Sequence, residues 1–339
     1  MRVVAESKLT MLDIAKMAGV GKSTVSRYFN GGYIKKETAE KIKAVIDKYH
    51  YEPNVIAQML KAKKTNVIGI ITPALDSITS SRMIMSMDEY LRNEGYVSYI
   101  INTNHDELRE LKSIQNFSKL NVDGIILLAT HLTMAHQKLF ADLNIPVVLL
   151  GQSYKNNVSI IYDDYNAGYD IGKYVADHGH KNILVVGVNS KDEAVGIIRK
   201  QGIYDALNDM KIDDIQFVES TFSFDYTVSK ISHYLDKHQL PTVIIASTDN
   251  QALACYKVLI SRGYKVPDDV SLIAFGGYEA SELITPDLTT IRFENEEAGC
   301  CAAKAVIDLV EEKDVNNEIR IDYVFIEGHS VKNINKDYK

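Results

Sequence analysis

Long apolar runs are missing from this sequence, and cysteine is scarce. No stretch of the 339 residues is long and apolar enough to cross a bilayer, and Met1–Lys8 lacks the apolar segment of a secretory signal. The three cysteines, Cys255, Cys300 and Cys301, have neither the spacing of a metal site nor that of a disulfide framework. We therefore expect a cytoplasmic protein with no membrane partner and no bound metal.

A catalytic constellation is also missing. His178 and His180 flank a glycine at the end of a predicted helix, where we expect them to cap backbone carbonyls rather than bind a metal. The adjacent carboxylates of Asp163 and Asp164 do not define an acid/base pair by their spacing alone. The sequence therefore predicts a protein that is not an enzyme and that needs no cofactor.

The formal net charge of −7 conceals an uneven distribution. Residues 1–65 contain 13 Lys and Arg against 6 Asp and Glu, a net of +7, whereas the rest of the chain has a net of −14. A basic end on an acidic body is typical of a protein that contacts phosphate through one end only. A solvated lysine-rich tail is the alternative, but the same segment has an ordered apolar pattern. The length suffices for two or three packed units.

The basic end has the pattern of three short helices. Thr10 and Asp13 have the spacing of a capping box, and Gly19 ends the first helix in a tight turn. Apolar spacing predicts a second helix over 22–30 and a third over 36–49. Short helices joined by a glycine turn indicate a helix-turn-helix unit, whose second helix enters the major groove of DNA.

The start of the second helix also resembles a nucleotide-binding loop. That motif requires a glycine where this chain has Lys16, and it requires a preceding strand, whereas a helix precedes it here. The DNA interpretation explains the same polar side chains as base-edge contacts followed by phosphate contacts. The base-edge set is Lys22, Ser23 and Thr24, and the phosphate set is Ser26 and Arg27.

From Val67 onward, short apolar runs alternate with helical patterns. Nearly uniform apolar runs of this length are typical of strands buried on both faces of a parallel sheet. The alternation predicts an α/β core, and the number of units favours two lobes with a cleft at the carboxyl ends of the strands. The predicted strands are Val67–Ile71, Val97–Ile101, Gly124–Leu128, Pro146–Leu150, Ile183–Val188, Val243–Ala246 and Leu272–Phe275.

Several segments resemble the lactose/galactose repressor family. "LTMLDIAKMAGVGKSTVSRYFNGG" and "YEPNVIAQMLKAKKTNVIGI" are similar to its head and hinge, and "YDDYNAGYDIGKYVADHGHKNI" and "ASTDNQALACYKVL" to its core. The resemblance implies an all-α helix-turn-helix head at 1–53, a hinge helix and linker at 54–65, and a core at 66–339. That core would resemble periplasmic sugar-binding proteins, with two parallel-sheet lobes and chain crossings near Tyr162–Asp164, Ile291–Asn295 and Ile321–Val324.

The resemblance also implies the DNA contacts. In that family the hinge segment becomes a helix on DNA, and two such helices enter the minor groove together. The leucine that wedges between base steps falls on Leu60, and Ala57 is the small residue that the narrow groove tolerates. The full predicted DNA-binding set is Thr10, Lys22, Ser23, Thr24, Ser26, Arg27, Asn30, Asn54, Ala57 and Leu60.

Effector residues follow from the resemblance position by position. Arg199 matches an arginine that holds sugar hydroxyls, Phe222 an aromatic that packs on the sugar, and Asp249 a cleft aspartate. Gly151 and Gly276 stand where family members have acidic residues, so we expect few carboxylates and an incompletely neutralised Arg199. The predicted effector-binding set is Asp76, Ser77, Tyr162, Arg199, Phe222 and Asp249.

We therefore expect a homodimeric repressor of a sugar-utilisation operon that binds operator DNA. Details of the chain resemble the sucrose and trehalose repressors of the family, which favours a disaccharide or a sugar phosphate that releases the DNA. A tetramer is not expected, because Val331–Lys339 has no leucine heptad. Two alternatives stay open: a regulator whose ligand strengthens DNA binding, and a sugar receptor without gene control.

Overall fold

The computed structural model describes residues 9–29, 32–49, 51 and 64–335. The chain consists of two compact units, and the boundary between them in the sequence lies between Thr65 and Asn66. Four residues predicted to contact DNA, namely Asn30, Asn54, Ala57 and Leu60, lie outside the described residues. None of the helices within the described ranges is long and apolar enough to span a membrane.

The described residues of the N-terminal unit form three helices, as the pattern predicts. They are α1 (Met11–Met17), α2 (Lys22–Phe29) and α3 (Lys36–Tyr49). The predicted capping box is present, because Thr10 and the Asp13 side chain each accept a backbone N–H of the other. Gly19 has a φ of +66°, the left-handed conformation that a tight turn between α1 and α2 requires. Ile14, Val25 and Ile42 meet in the core of the unit.

The second unit is an α/β body. Its strands are β1 (Val67–Thr72), β2 (Val97–Asn102), β3 (Gly124–Leu128), β4 (Val147–Leu150), β5 (Ser159–Tyr162), β6 (Ile183–Gly187), β7 (Ile215–Glu219), β8 (Val243–Ala246), β9 (Ser271–Phe275), β10 (Thr289–Phe293), β11 (Glu318–Ile321) and β12 (Tyr323–Ile326). Its α-helices are α4 (Ile78–Asn93), α5 (Glu107–Lys119), α6 (Met134–Asp142), α7 (Asp164–Asp177), α8 (Lys200–Asp209), α9 (Phe224–Leu235), α10 (Asp249–Ser261), α11 (Glu279–Leu283) and α12 (Asn295–Val310). The seven strands predicted from sequence are all present, with ends that differ by at most one residue.

The strands form two sheets of six, one in each lobe. Their orders are β11-β5-β4-β3-β1-β2 and β12-β10-β9-β8-β6-β7. The predicted two parallel-sheet lobes are confirmed: the first sheet is entirely parallel, and the second is parallel except for β12, which runs antiparallel to β10. The reason is its entry point, since Tyr323 at the start of β12 pairs with Phe293 at the end of β10.

The chain passes between the lobes three times. The crossings join β5 to α7, β10 to α12 and β11 to β12, which confirms the three predicted positions. Because β5, β10 and β11 all end at these crossings, the carboxyl edges of both sheets face the junction of the lobes. Parallel sheets bind ligands at their carboxyl edges, so the cleft lies there.

Candidate effector site and nucleic-acid interface

Arg199 ends a π-helical turn beside the carboxyl ends of β8, β9 and β10, which form the floor of the cleft on the second lobe. After β6 the chain forms a π-helix over Ala194–Arg199, which continues directly into α8. Single π-turns inside helices occur frequently at functional sites. The tight approach of this turn to the preceding loop requires Gly196, because a Cβ there would lie 2.0 Å from the Asn189 carbonyl oxygen.

The guanidinium of Arg199 is buried, and each of its three nitrogens donates a hydrogen bond. Nε and Nη2 donate to Oδ1 of Asp164 at 2.8 and 2.5 Å, and Nη1 donates to the Ser247 carbonyl at 2.7 Å. Its faces lie 4.7 and 4.9 Å from the ring centres of Phe275 and Phe293. The prediction of an incompletely neutralised arginine is therefore wrong, because Asp164 supplies the opposing charge.

The position of Asp164 explains this pairing. It is the first residue of α7, directly after the first crossing. Helices α7 and α8 approach closely because both carry glycine at the contact. A Cβ on Gly168 would lie 2.2 Å from the Arg199 carbonyl oxygen, and one on Gly202 would lie 2.1 Å from that of Tyr165. The two charges are consequently brought together by helix packing.

Asp249 is fully buried, and its carboxylate is occupied by protein donors. Oδ1 accepts from Thr290 Oγ1 at 2.6 Å, and Oδ2 accepts from the Tyr278 N–H at 2.9 Å and from Ser281 Oγ at 2.8 Å. Burial raises the pKa of Asp249, although these hydrogen bonds oppose the rise. The prediction of a ligand-facing aspartate is corrected accordingly, because Asp249 holds the loop that follows β9.

The two residues after Asp249 hold a second cleft loop. Asn250 Nδ2 donates to the Phe222 carbonyl at 2.9 Å, and Gln251 Nε2 donates to the Thr221 carbonyl at 3.0 Å. Phe222 is half-buried and belongs to none of the apolar clusters of the described residues. Phe222 therefore lies in a loop at the carboxyl edge of the second sheet, and its contact with a sugar stays a prediction.

The remaining predicted effector residues lie on the first lobe and its crossing. Asp76 is exposed in the loop after β1, and Ser77 caps α4 by accepting the Ser80 N–H. The hydroxyl of Tyr162 donates to Asn295 Oδ1 at 2.7 Å, which joins the first crossing to the second. Burial is the main cause that raises the pKa of Tyr162.

Hydrogen bonds bridge the lobes within residues 64–335, among them one of 3.5 Å from Arg82 Nη2 to Glu279 Oε1, and sequence reasoning did not identify the residues that form them. The hydroxyls of Thr79 and Tyr278 lie 3.0 Å apart, and Gln152 Nε2 donates to Asp192 Oδ1 at 3.2 Å. Burial raises the pKa of Asp192, whereas the N–H of Val195 and the charge of Arg199 lower it. The sequence indicated Gln152 and Asp192 only by their positions, because they follow β4 and β6 at the carboxyl edges of their sheets.

In the N-terminal unit, helix α2 presents one polar face. Lys22, Ser23 and Arg27 are exposed, Thr24 and Ser26 are half-buried, and Val25 points into the core. The first turn of α2 contains no acidic residue, so its N-terminus keeps a positive field suited to phosphate. Thr10 is also exposed, but its hydroxyl donates to Asp13 at 2.6 Å and so serves the cap of α1.

Comparison with known proteins identifies both units. Residues 65–330 match the family described as periplasmic binding proteins and sugar binding domain of LacI family, and residues 10–54 match bacterial regulatory proteins of the lacI family. The chain belongs to the LacI family. It is accordingly a DNA-binding transcriptional regulator with a ligand-binding core of the periplasmic-binding type.

Relatives within the LacI family align along nearly the whole chain. The sucrose operon repressor of Staphylococcus xylosus is 32% identical over 91% of this chain and 96% of its own. A transcriptional repressor PurR of Histophilus somni is 28% identical over 91% of this chain and 95% of its own. The lac repressor dimer bound to operator and the anti-inducer ONPF shares the fold with a TM-score of 0.85, at 21% identity over 96% of this chain and 100% of that one.

Proposed function

We propose that this chain is a homodimeric repressor of a sugar-utilisation operon and that a sugar bound between the lobes lowers its affinity for operator DNA. The head would be residues 1–53, the hinge 54–65 and the sensing and dimerisation core 66–339. The protein would act in the cytoplasm, where its DNA is, and it would release the sugar chemically unchanged.

The observation that carries the proposal is the placement of a buried polar cluster beside a crossing between two lobes. Asp164 directly follows a crossing, and its partner Arg199 ends the π-turn on the cleft floor. A ligand that contacts this cluster and also the first lobe would have different contacts in two lobe arrangements, which is the requirement for an allosteric effector. The sucrose operon repressor at 32% identity supports a sugar as that ligand.

The DNA-binding half rests on the exposed polar face of α2 and on the basic N-terminal segment. Lys22, Ser23 and Thr24 would reach base edges, while Ser26 and Arg27 would contact phosphates. The hinge residues Asn54, Ala57 and Leu60 would enter the minor groove, with Leu60 as the wedge. Asn30 and Thr10 complete this proposed interface.

A corepressor-dependent regulator is the second candidate, because the sign of the coupling depends on which lobe arrangement fits the operator. One experiment separates the two. An operator is first selected from random DNA duplexes with the full chain, and its affinity is then measured by fluorescence anisotropy with and without sucrose, trehalose, glucose or fructose. Weaker operator binding with a sugar supports induction, and tighter binding establishes the corepressor. Chromatography of the sugar after incubation tests for turnover.

A further inference from the structure

We propose that Asp192 and Gln152 form the specificity-determining pair of the effector site and that they select an uncharged sugar against its phosphate ester. The inference deepens the proposed function and rests on it, since it names the chemical class of the effector at the same cleft.

The geometry places this pair at the mouth of the ligand-binding space. Gln152 is buried at the end of the first lobe's β4, whereas Asp192 is half-buried after β6 of the second lobe. Their hydrogen bond, 3.2 Å from Nε2 to Oδ1, spans the cleft. A ligand between the lobes has to contact these two side chains or separate them.

Asp192 keeps one carboxylate oxygen for a ligand. Oδ1 accepts from Gln152 and from the Val195 N–H at 2.9 Å, which fixes the plane of the carboxylate. No group among residues 64–335 donates to Oδ2, and this atom is not sequestered from solvent. A sugar hydroxyl is a donor that suits such an oxygen, and its own oxygen accepts from an amide such as that of Gln152.

The arginines at the cleft are already committed to carboxylates. Arg199 is paired with Asp164, and Arg82 lies 3.5 Å from Glu279 and 3.9 Å from Glu296. Lys191, the residue before Asp192, is exposed, so its charge is screened by water. A phosphate dianion would therefore meet the Asp192 carboxylate without a dedicated cation, whereas an uncharged polyol would meet a well-placed acceptor.

The test is calorimetric titration of the full chain, at constant ionic strength, with pairs of ligands that consist of a sugar and its phosphate ester. The probes are sucrose, trehalose, glucose and fructose, each beside its 6-phosphate. We expect at least one uncharged sugar to bind about tenfold or more tightly than its ester. Asp192→Asn should reduce this ratio of affinities to within about threefold, because the variant binds the uncharged sugar more weakly and no longer repels the phosphate of the ester. The control is Glu193→Gln, which removes the same charge from an exposed neighbour and should keep the wild-type ratio.

The outcomes separate the inference from the proposed function. If an ester binds more tightly than its parent sugar and releases the operator, the inference is overturned while the proposed function stands. Binding by no member of the panel overturns both. An unchanged ratio in a folded Asp192→Asn protein overturns the role of Asp192. If that variant does not fold, Gln152→Ala takes its place, with a several-fold loss of affinity for the uncharged sugar expected and no loss contradicting the pair.

Discussion

Arg199 donates two hydrogen bonds to the same carboxylate oxygen of Asp164. Its Nε lies 2.8 Å and its Nη2 2.5 Å from Oδ1. Both side chains are almost inaccessible to water, and they join the first crossing between the lobes to the π-turn after β6. The pair therefore joins the floor of the cleft to the first crossing between the lobes.

Removal of one partner of this pair should destabilise the core strongly. Arg199→Ala leaves a buried carboxylate and Asp164→Ala leaves a buried cation, and each should lower the free energy of unfolding by about 3–5 kcal/mol. Urea denaturation followed by circular dichroism measures the loss. Arg92→Ala is the matched control, because its ion pair with Asp88 is largely exposed and should contribute at most about 1 kcal/mol.

The double variant Arg199→Met/Asp164→Leu should be less destabilised than the sum of the single variants, since neither charge is then left unpaired. Additive losses would contradict a direct interaction. The same Arg199→Ala protein, assayed where it is folded, should bind the effector about ten to a hundred times more weakly. Wild-type affinity by calorimetry would remove Arg199 from the site.

Asp249→Asn should loosen the loop after β9. An amide cannot accept at its nitrogen, so at least one of the donors Thr290, Tyr278 and Ser281 loses its partner inside the protein. We expect a loss of about 1–3 kcal/mol in the free energy of unfolding. Hydrogen exchange at the Tyr278 amide should accelerate in the same variant. Unchanged exchange at that amide would show that Asp249 does not hold the loop.

The fold could be predicted where the sequence pattern alone determines burial. Strands such as β3 and β8 are apolar throughout because both faces are covered, and they were predicted to the residue. Strands β7 and β11 were missed because they lie at or near sheet edges and keep polar, partly exposed residues. In the head, Tyr49 at the end of α3 is exposed, whereas Tyr51 belongs to the buried core cluster.

The site was predictable only residue by residue and not as a set of contacts. Arg199 and Phe222 were identified through the family resemblance, and both lie after strands of the second sheet, but their contact with a ligand stays a prediction. The partner of the Arg199 charge was not predicted. Asp164 lies 35 positions away in the sequence, and it reaches Arg199 only because of the crossing and the contact between α7 and α8. Asp249 was assigned to the cleft by the resemblance, although its buried carboxylate accepts from Tyr278, Ser281 and Thr290, which are distant in sequence.

Stability of the core should depend on pH through His180. Burial lowers its pKa from 6.5 to about 4, and Nε2 donates to the Lys332 carbonyl at 3.0 Å. The folded protein thus keeps a neutral imidazole that the unfolded chain protonates below pH 6.5. The contribution of His180 to the free energy of unfolding is complete above pH 6.5. As the pH falls toward 4, this free energy decreases by at most about 3 kcal/mol.

The measurement for His180 is urea denaturation at several pH values between 7 and 4. His180→Gln keeps an N–H donor but does not titrate, so the difference in stability between the two proteins should shift with pH in this window. A difference that is constant across the range would show that His180 titrates alike in the folded and unfolded chains.

Substitutions on α2 should separate base reading from phosphate binding. Ser23 is exposed in the first turn of the helix, and Arg27 is exposed one turn later on the same face. Ser23→Ala should change the ranking of operator variants, because hydrogen bonds to base edges carry sequence information. Arg27→Ala should weaken binding to all duplexes by a similar factor and reduce the slope of log affinity against log salt by about 1. Anisotropy titrations against a set of single-base operator variants at several salt concentrations distinguish the two effects. A sequence-dependent loss in Arg27→Ala, with an unchanged salt slope, would assign Arg27 to a base contact instead.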